Sequence, residues 1–103
     1  MLYSEVIATG SGIAERIIPN SFFNYLVEDA DNWIQSRTGI RERRFVNESQ
    51  STSDLATNAA KSALAEAGMD AAELDCVIVA TSTPDMSLPA TACMVQKNIG
   101  ASN

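Results

Sequence analysis

The sequence contains no histidine, so neither a Ser-His-Asp triad nor a Cys-His pair can be completed among its 103 residues. Its two cysteines, Cys76 and Cys93, stand outside any CxxC spacing. They fit neither a disulfide framework nor a zinc site and read as reduced thiols. Positive charge is scarce: 7 Lys and Arg against 13 Asp and Glu give a net charge of -6. That balance argues against a protein that wraps nucleic acid. No stretch approaches the roughly 18 apolar residues of a membrane span, and the opening MLYSEVIATG lacks the basic region and apolar core of a leader. The expectation is a cytoplasmic chain without a membrane partner. Repeats and low-complexity tracts are also missing, and 46% apolar content suits a globular protein that buries a core.

Cationic and aromatic residues are concentrated in one place. DNWIQSRTGIRERR, residues 31 to 44, holds Arg37, Arg41, Arg43 and Arg44, leaving only Arg16 outside it, and also the single tryptophan, Trp33. Against Asp31 and Glu42 the stretch carries +2, so the rest of the chain sums to -8. A basic island in an acidic body points to a small anionic ligand or to internal pairing.

Tyr3 to Ala8, centred on Val6 and Ile7, reads as a strand, with Gly10-Ser11-Gly12 as the turn after it. Asn20 or Ser21 can cap a short helix carrying Phe22, Phe23, Tyr25, Leu26 and Val27. A second short helix fits Asp31 to Thr38, opened by Ala30 or Asp31 and closed by Gly39. It sets Trp33 and Arg37 four apart on one face. Ile40 to Val46 reads as extended, and residues 47 to 53 as a polar loop. Ser53-Asp54 opens the clearest helix, which runs to Ala67 and stops at Gly68. Its inward face is Leu55, Ala56, Ala59, Ala60, Ala63, Leu64 and Ala67, small enough to approach a sheet closely. Asp70 and Glu73 suit one capped turn. Cys76 to Ala80 is an apolar, β-branched run, the pattern of a strand buried on both faces, which makes Cys76 a core residue. Pro89 sits where a first helical residue belongs, ahead of Ala90 to Ile99 with Gly100 as stop. The order is that of an α/β fold with a partly parallel sheet. A buried parallel strand needs neighbours on both edges, so the chain reads as the opening portion of a larger sheet.

Gly10-Ser11-Gly12 begins like a dinucleotide fingerprint, but Glu15 stands where the third glycine belongs and Pro19 prevents a following helix, which excludes that site. Asp29 and Asp31, or Asp70, Glu73 and Asp75, could be set around a metal. Their places at helix starts account for them through capping and the macrodipole, so no metal is expected. Cys93 has no base or cation near it in sequence and reads as structural. Trp33 and Arg37 admit two readings that the residues alone leave open. Ring and guanidinium can stack a purine and hold a phosphate, or Trp33 plugs the core while Arg37 pairs with Glu28 or Asp29. Arg41, Arg43 and Arg44 read as pairing with acidic neighbours or lining a surface.

Several of these segments together resemble the N-terminal part of a β-ketoacyl-[acyl-carrier-protein] synthase III, in the thiolase-like superfamily. The resemblance rests on the TGSG turn, on DNWIQSRTGIRERR with its pattern W-I-x-x-R-T-G-I-x-E-R, on the Ala-rich helix reaching AEAGMD, and on LDCVIVATSTPD and LPATACMVQKNIG. It implies an αβαβα sandwich of two related halves, usually in a homodimer. Residues 1 to 103 would then be an incomplete N-terminal half-domain, with a mixed, mostly parallel sheet and no second domain. It also implies decarboxylative Claisen condensation of an acyl-CoA primer with malonyl-acyl-carrier-protein, at the start of fatty acid synthesis, without a covalently bound cofactor. The family's cysteine nucleophile, histidine and asparagine have no match in this chain, and Cys93 falls on another position. The chain alone is therefore expected to have no condensing activity.

By the same resemblance, Trp33 and Arg37 match residues at the mouth of the acyl-CoA tunnel, stacking on adenine and contacting the nucleotide end, with Thr38 as a neighbouring contact. Leu88 falls where the family often has an aromatic residue that crosses the dimer interface and walls the primer pocket. A leucine there implies room for a primer longer or more branched than acetyl. The competing readings are a condensing enzyme of secondary metabolism or long-chain acyl condensation, and a non-catalytic CoA-binding or interaction module. RNA binding through the arginine island is opposed by the acidic remainder.

Overall fold

The computed structural model describes residues 3 to 102. Their packing divides into two compact units, one spanning Ile13–Ser49 and the other formed by the stretch before Ile13 together with the chain from Gln50 onward.

In the Ile13–Ser49 unit, Arg16–Pro19 forms β1 and Glu42–Phe45 forms β2, paired antiparallel with Ile18 opposite Arg43 and Pro19 opposite Glu42. β2 falls inside the segment predicted to be extended. β1 has no counterpart among the sequence expectations, because two β-branched residues ahead of a proline are too short to show a period. Pro19 is tolerated at the end of an edge strand, where its missing N–H costs no ladder bond. Ile18 is buried while Ile17 faces outward, the alternation expected of a strand with one covered side. The helix predicted from Asn20 shrinks to one 3₁₀ turn, Asn20–Phe23. The physical reason is that Asn20 turns its side chain into the core, where it is 1% exposed, and gives the helix no cap. Phe22 then packs edge-to-face on Phe23 at 5.2 Å and on Phe45 at 6.4 Å.

The helix α1 spans Ala30–Thr38 and closes, as predicted, at Gly39 in the left-handed conformation, φ 70°. Its start is set by Asn24, whose Oδ1 accepts the Ala30 N–H at 3.1 Å.

In the other unit, α2 spans Thr52–Ala67 and begins ahead of the predicted cap. Ser51 and Asp54 form a reciprocal capping box, the Ser51 N–H donating to Asp54 Oδ2 at 2.9 Å. Ser53, expected to be the cap, lies in the first turn and is buried. After the predicted Asp70–Glu73 capping box around the 3₁₀ turn Ala71–Glu73, the chain reaches α3, Thr91–Ile99. Pro89 precedes the cap residue Ala90 instead of opening the helix, and the Leu88–Pro89 peptide is cis. α3 packs on α2. Val95 is the largest buried side chain there, and Asn98 Nδ2 donates to the buried Thr57 at 3.2 Å.

Two strand expectations fail. Neither Tyr3–Ala8 nor Cys76–Ala80 joins a ladder, and among the described residues β1–β2 is the only one. Ile78 is 86% exposed, and Cys76 is an exposed thiol instead of a core residue. An apolar β-branched run is buried only when strands and helices cover its edges and faces, and among the described residues no strand pairs with it. Cys93 is exposed as well.

The glycine reading is also corrected. Gly10 and Gly12 have no positive φ, so they are not needed to turn the chain. They let it approach α2, where a Cβ at Gly10 would lie 2.2 Å from the Ala59 carbonyl oxygen and one at Gly12 only 1.9 Å from that of Leu55. The small inward face of α2 thus meets backbone instead of a sheet. Its remaining apolar side borders a cavity of about 240 Å³ with Ile7, Ala8 and Met69.

Candidate functional site

The nine residues of α1 carry three of the candidate site residues, Trp33, Arg37 and Thr38. Trp33 is 45% exposed and does not plug the core. The Arg37 guanidinium lies 4.4 Å from the centroid of the Trp33 ring, and its Nη1 donates to the Trp33 carbonyl at 3.3 Å. Among the described residues no ion pair joins Arg37 to Glu28 or Asp29. The four-residue spacing therefore produces a cation–π pair on the helix surface, with most guanidinium N–H groups open to a ligand. Thr38 Oγ1 donates to the Ile34 carbonyl at 2.8 Å and accepts from the Ile40 N–H at 3.1 Å, so its only proton is engaged within the helix.

The first turn of α1 holds Asp31, a favourable place for negative charge beside the helix N-terminus. Its Oδ1 accepts from Gln35 Nε2 at 2.7 Å and from Asn20 Nδ2 at 2.9 Å. The Gln35 bond first, then the Asn20 bond, hold this carboxyl below its ordinary value of 3.8 against a smaller opposing effect of desolvation, and the charge of Arg41 adds to the lowering. Asn20 also donates to the Ile40 carbonyl at 2.8 Å and accepts from Arg43 Nη2 at 2.6 Å. Arg43 has an amide and an aromatic ring as partners instead of acidic neighbours, since its guanidinium lies 4.7 Å from the Phe23 centroid. Arg44 Nη1 donates to the Glu15 carbonyl at 3.4 Å. Only Arg37 of these arginines stacks on Trp33. Sequence reasoning misses Asn20 as a buried hub, and the only local signal is its place after Pro19, which marks a turn.

Leu88, the remaining candidate, belongs to the other unit and is 84% exposed. The segment leading to it is tied to the start of α2. Asp85 Oδ2 accepts from Ser53 Oγ at 2.5 Å, Asp85 Oδ1 accepts from the Ser53 N–H at 2.9 Å, and Thr52 Oγ1 donates to the Thr83 carbonyl at 2.7 Å. The Ser53 hydroxyl bond is the main reason the Asp85 carboxyl sits below its ordinary value. Both thiols line one cleft of about 580 Å³ with Asp75 and Gln96, and among the described residues no cation borders it. Among the described residues no group of three His, Cys, Asp or Glu is placed to hold a metal ion, and no helix is long and apolar enough to cross a membrane.

No protein-family profile matches the chain. Among curated proteins it is 51% identical over 98 residues to the Beta-ketoacyl-[acyl-carrier-protein] synthase III of Caldanaerobacter subterraneus subsp. tengcongensis, covering 95% of this chain and 30% of that protein. Among solved structures, 3-oxoacyl-[acyl-carrier-protein] synthase III from Aquifex aeolicus matches with a TM-score of 0.86 at 41% identity, over 94% of this chain and 31% of that one. The priming beta-ketosynthase from the R1128 polyketide biosynthetic pathway gives the same TM-score at 32% identity, over 95% of this chain and 29% of that one. The chain spans about three tenths of the length of the relatives it matches, and its fold is part of the thiolase-like α/β fold of these condensing enzymes. By sequence and by fold, the chain belongs to the β-ketoacyl-[acyl-carrier-protein] synthase III family, of which it represents an N-terminal part.

Proposed function

We propose that the chain supplies the acyl-CoA-recognition face of an enzyme that joins an acyl-CoA primer to malonyl-acyl-carrier-protein by decarboxylative Claisen condensation, the step that starts fatty acid synthesis. The observation that carries this reading is the Arg37 guanidinium stacked 4.4 Å from the exposed Trp33 ring. The nucleotide end of an acyl-CoA combines a flat purine with anionic phosphates. An indole answers the first by stacking, and a guanidinium answers the second by charge-assisted hydrogen bonds. Because the stack already restrains Arg37, less rotamer freedom is lost when ligand arrives. Thr38 contributes through its oxygen alone, since its proton is held by Ile34.

In this scheme the primer acyl group passes from CoA to a cysteine thiolate, releasing the CoA thiol. Malonyl thioester loses CO₂, and the resulting enolate attacks the acyl-cysteine and frees the thiolate. The cysteine, histidine and asparagine for those steps lie outside these 103 residues, which contain no histidine. The chain alone is then inactive, and malonyl-thioester condensation by the purified chain would overturn that part of the reading. In the intact enzyme, Arg37→Ala is expected to raise KM for acyl-CoA about tenfold, the worth of a hydrogen bond to a charged group, with less effect on the carrier-protein substrate. Equal losses for both substrates would assign Arg37 to folding instead.

Leu88 favours a second reading of primer choice, in which a homodimer interface places this residue in the wall of the primer pocket. Its exposure leaves it free for such a contact, and a leucine is smaller and more pliable than an aromatic ring. Primer competition should then favour chains longer or more branched than acetyl, as in condensing enzymes outside primary fatty acid synthesis. Leu88→Phe should move preference toward acetyl. An unchanged acetyl preference in both proteins removes this reading.

A further inference from the structure

We infer that Asn20 is a positioning residue that sets the pose of the Trp33–Arg37 pair by fastening both ends of α1 to the β1–β2 ribbon; the inference rests on the acyl-CoA reading of that pair.

A primary amide has two N–H donors and one carbonyl acceptor, and Asn20 commits its full set of groups. Nδ2 donates to Asp31 Oδ1 at 2.9 Å, in the first turn of α1, and to the Ile40 carbonyl at 2.8 Å, just past the Gly39 stop. Oδ1 accepts from Arg43 Nη2 on β2 at 2.6 Å, and the Asn20 backbone N–H donates to the Arg41 carbonyl at 3.3 Å. The residue is 1% exposed, so water cannot replace any of these partners.

α1 has nine residues, and a helix that short is not stable by its own hydrogen bonds. Its orientation comes from what holds its ends. Trp33 and Arg37 lie between the two points that Asn20 holds, so a slackened Asn20 lets the pair shift as a unit without losing the Arg37–Trp33 stack. No other residue type of this size donates twice and accepts once. Aspartate would turn a carboxylate toward the Asp31 carboxylate and the Ile40 carbonyl, losing both donations while keeping the acceptor for Arg43.

The test is an exchange of partners in the intact enzyme. Asn20→Asp is expected to raise KM for acyl-CoA about tenfold with kcat and the carrier-protein KM within about twofold, and to change the Trp33 fluorescence and near-ultraviolet dichroism. The double variant N20D/D31N restores the bond in reverse, with the amide now at position 31 donating to the carboxylate at position 20. Because the Ile40 carbonyl still lacks its donor, the recovery is expected to be partial, with acyl-CoA KM returning to within about threefold of the original and the Trp33 signal moving back toward it. N20D with unchanged KM and unchanged Trp33 signal overturns the inference. So does a folded double variant that performs no better than N20D. Should N20D fail to fold, the double variant still decides, since a folded double variant with near-original KM supports the exchange and one that also fails overturns it. Arg37→Ala and Trp33→Ala read the underlying assignment separately. If neither alters acyl-CoA KM, the coenzyme reading fails, and the Trp33 signal in N20D and N20D/D31N still reports whether Asn20 holds the helix.

Discussion

Gly12→Ala is the substitution for which the structure gives the most direct magnitude. A Cβ at Gly12 would lie 1.9 Å from the Leu55 carbonyl oxygen, 2.8 Å from its carbon and 3.1 Å from its Cα, where ordinary contact begins near 3.4 Å. The segment would have to retreat from α2 by about 1.5 Å to accept one methyl group, because the clash is with helix backbone and no side chain can swing aside. Overpacking of this kind costs about 1–3 kcal/mol, and each kcal/mol lowers the melting temperature of a domain this size by roughly 4–8 °C. A value near 2 kcal/mol gives a drop of about 8–16 °C. Thermal and urea melts followed by circular dichroism measure it. The urea midpoint should fall without a change in slope, and Leu55→Ala should fail to rescue because the clash is with the carbonyl. Ser11→Ala, between the two glycines and exposed, is the control and should be neutral. A Gly12→Ala melting temperature within about 2 °C of the original would refute the close-approach account.

The tie between α2 and the segment leading to Leu88 makes a second prediction. Ser53→Ala removes the hydroxyl bond to Asp85 at a buried position, and is expected to cost about 1–2 kcal/mol. Asp85→Asn should cost less than Ser53→Ala, since its amide oxygen still accepts from the Ser53 N–H; urea melts rank the two, and the reverse order would refute this. The two lowered carboxyls predict the acid response. Asp31 and Asp85 both sit below their ordinary value of 3.8, so their stabilising contributions are complete above that value and are lost as pH falls through the depressed folded-state values. The urea midpoint is expected to stay level from roughly pH 7 to 5 and to decline below about pH 4. The double variant D31N/D85N should show a shallower acid decline, and an equally steep one would assign the acid sensitivity to other groups.

The local features of this chain are legible in its sequence because their causes are local. Gly39, Gly68 and Gly100 each end a helix with a positive φ. The Asp70–Glu73 box and the Trp33–Arg37 spacing involve partners three or four residues apart, and the W-I-x-x-R-T-G-I-x-E-R pattern carries the family resemblance within eleven consecutive positions. The errors share a different cause. Asn20 reads as a helix cap because capping is its commonest local use, whereas its true partners are 11 to 23 residues away. Ser53 reads as a cap for the same reason, and it meets Asp85 32 residues on. Gly10 and Gly12 read as a turn because a sequence shows glycine's freedom but not which backbone comes near it.

What the sequence alone determined was therefore the three helices and the glycines that stop them, the acidic body with one arginine island, and membership in a condensing-enzyme family. Tertiary structure alone decided which arginine stacks on Trp33, which asparagine is buried beneath the helix that carries them, and that Cys76–Ala80 stays without a ladder among the described residues. The physical reason is range. Propensity, capping and periodicity act over a turn or two of chain, while burial and long-range hydrogen bonding depend on which segments the fold brings together, and no local pattern encodes that choice.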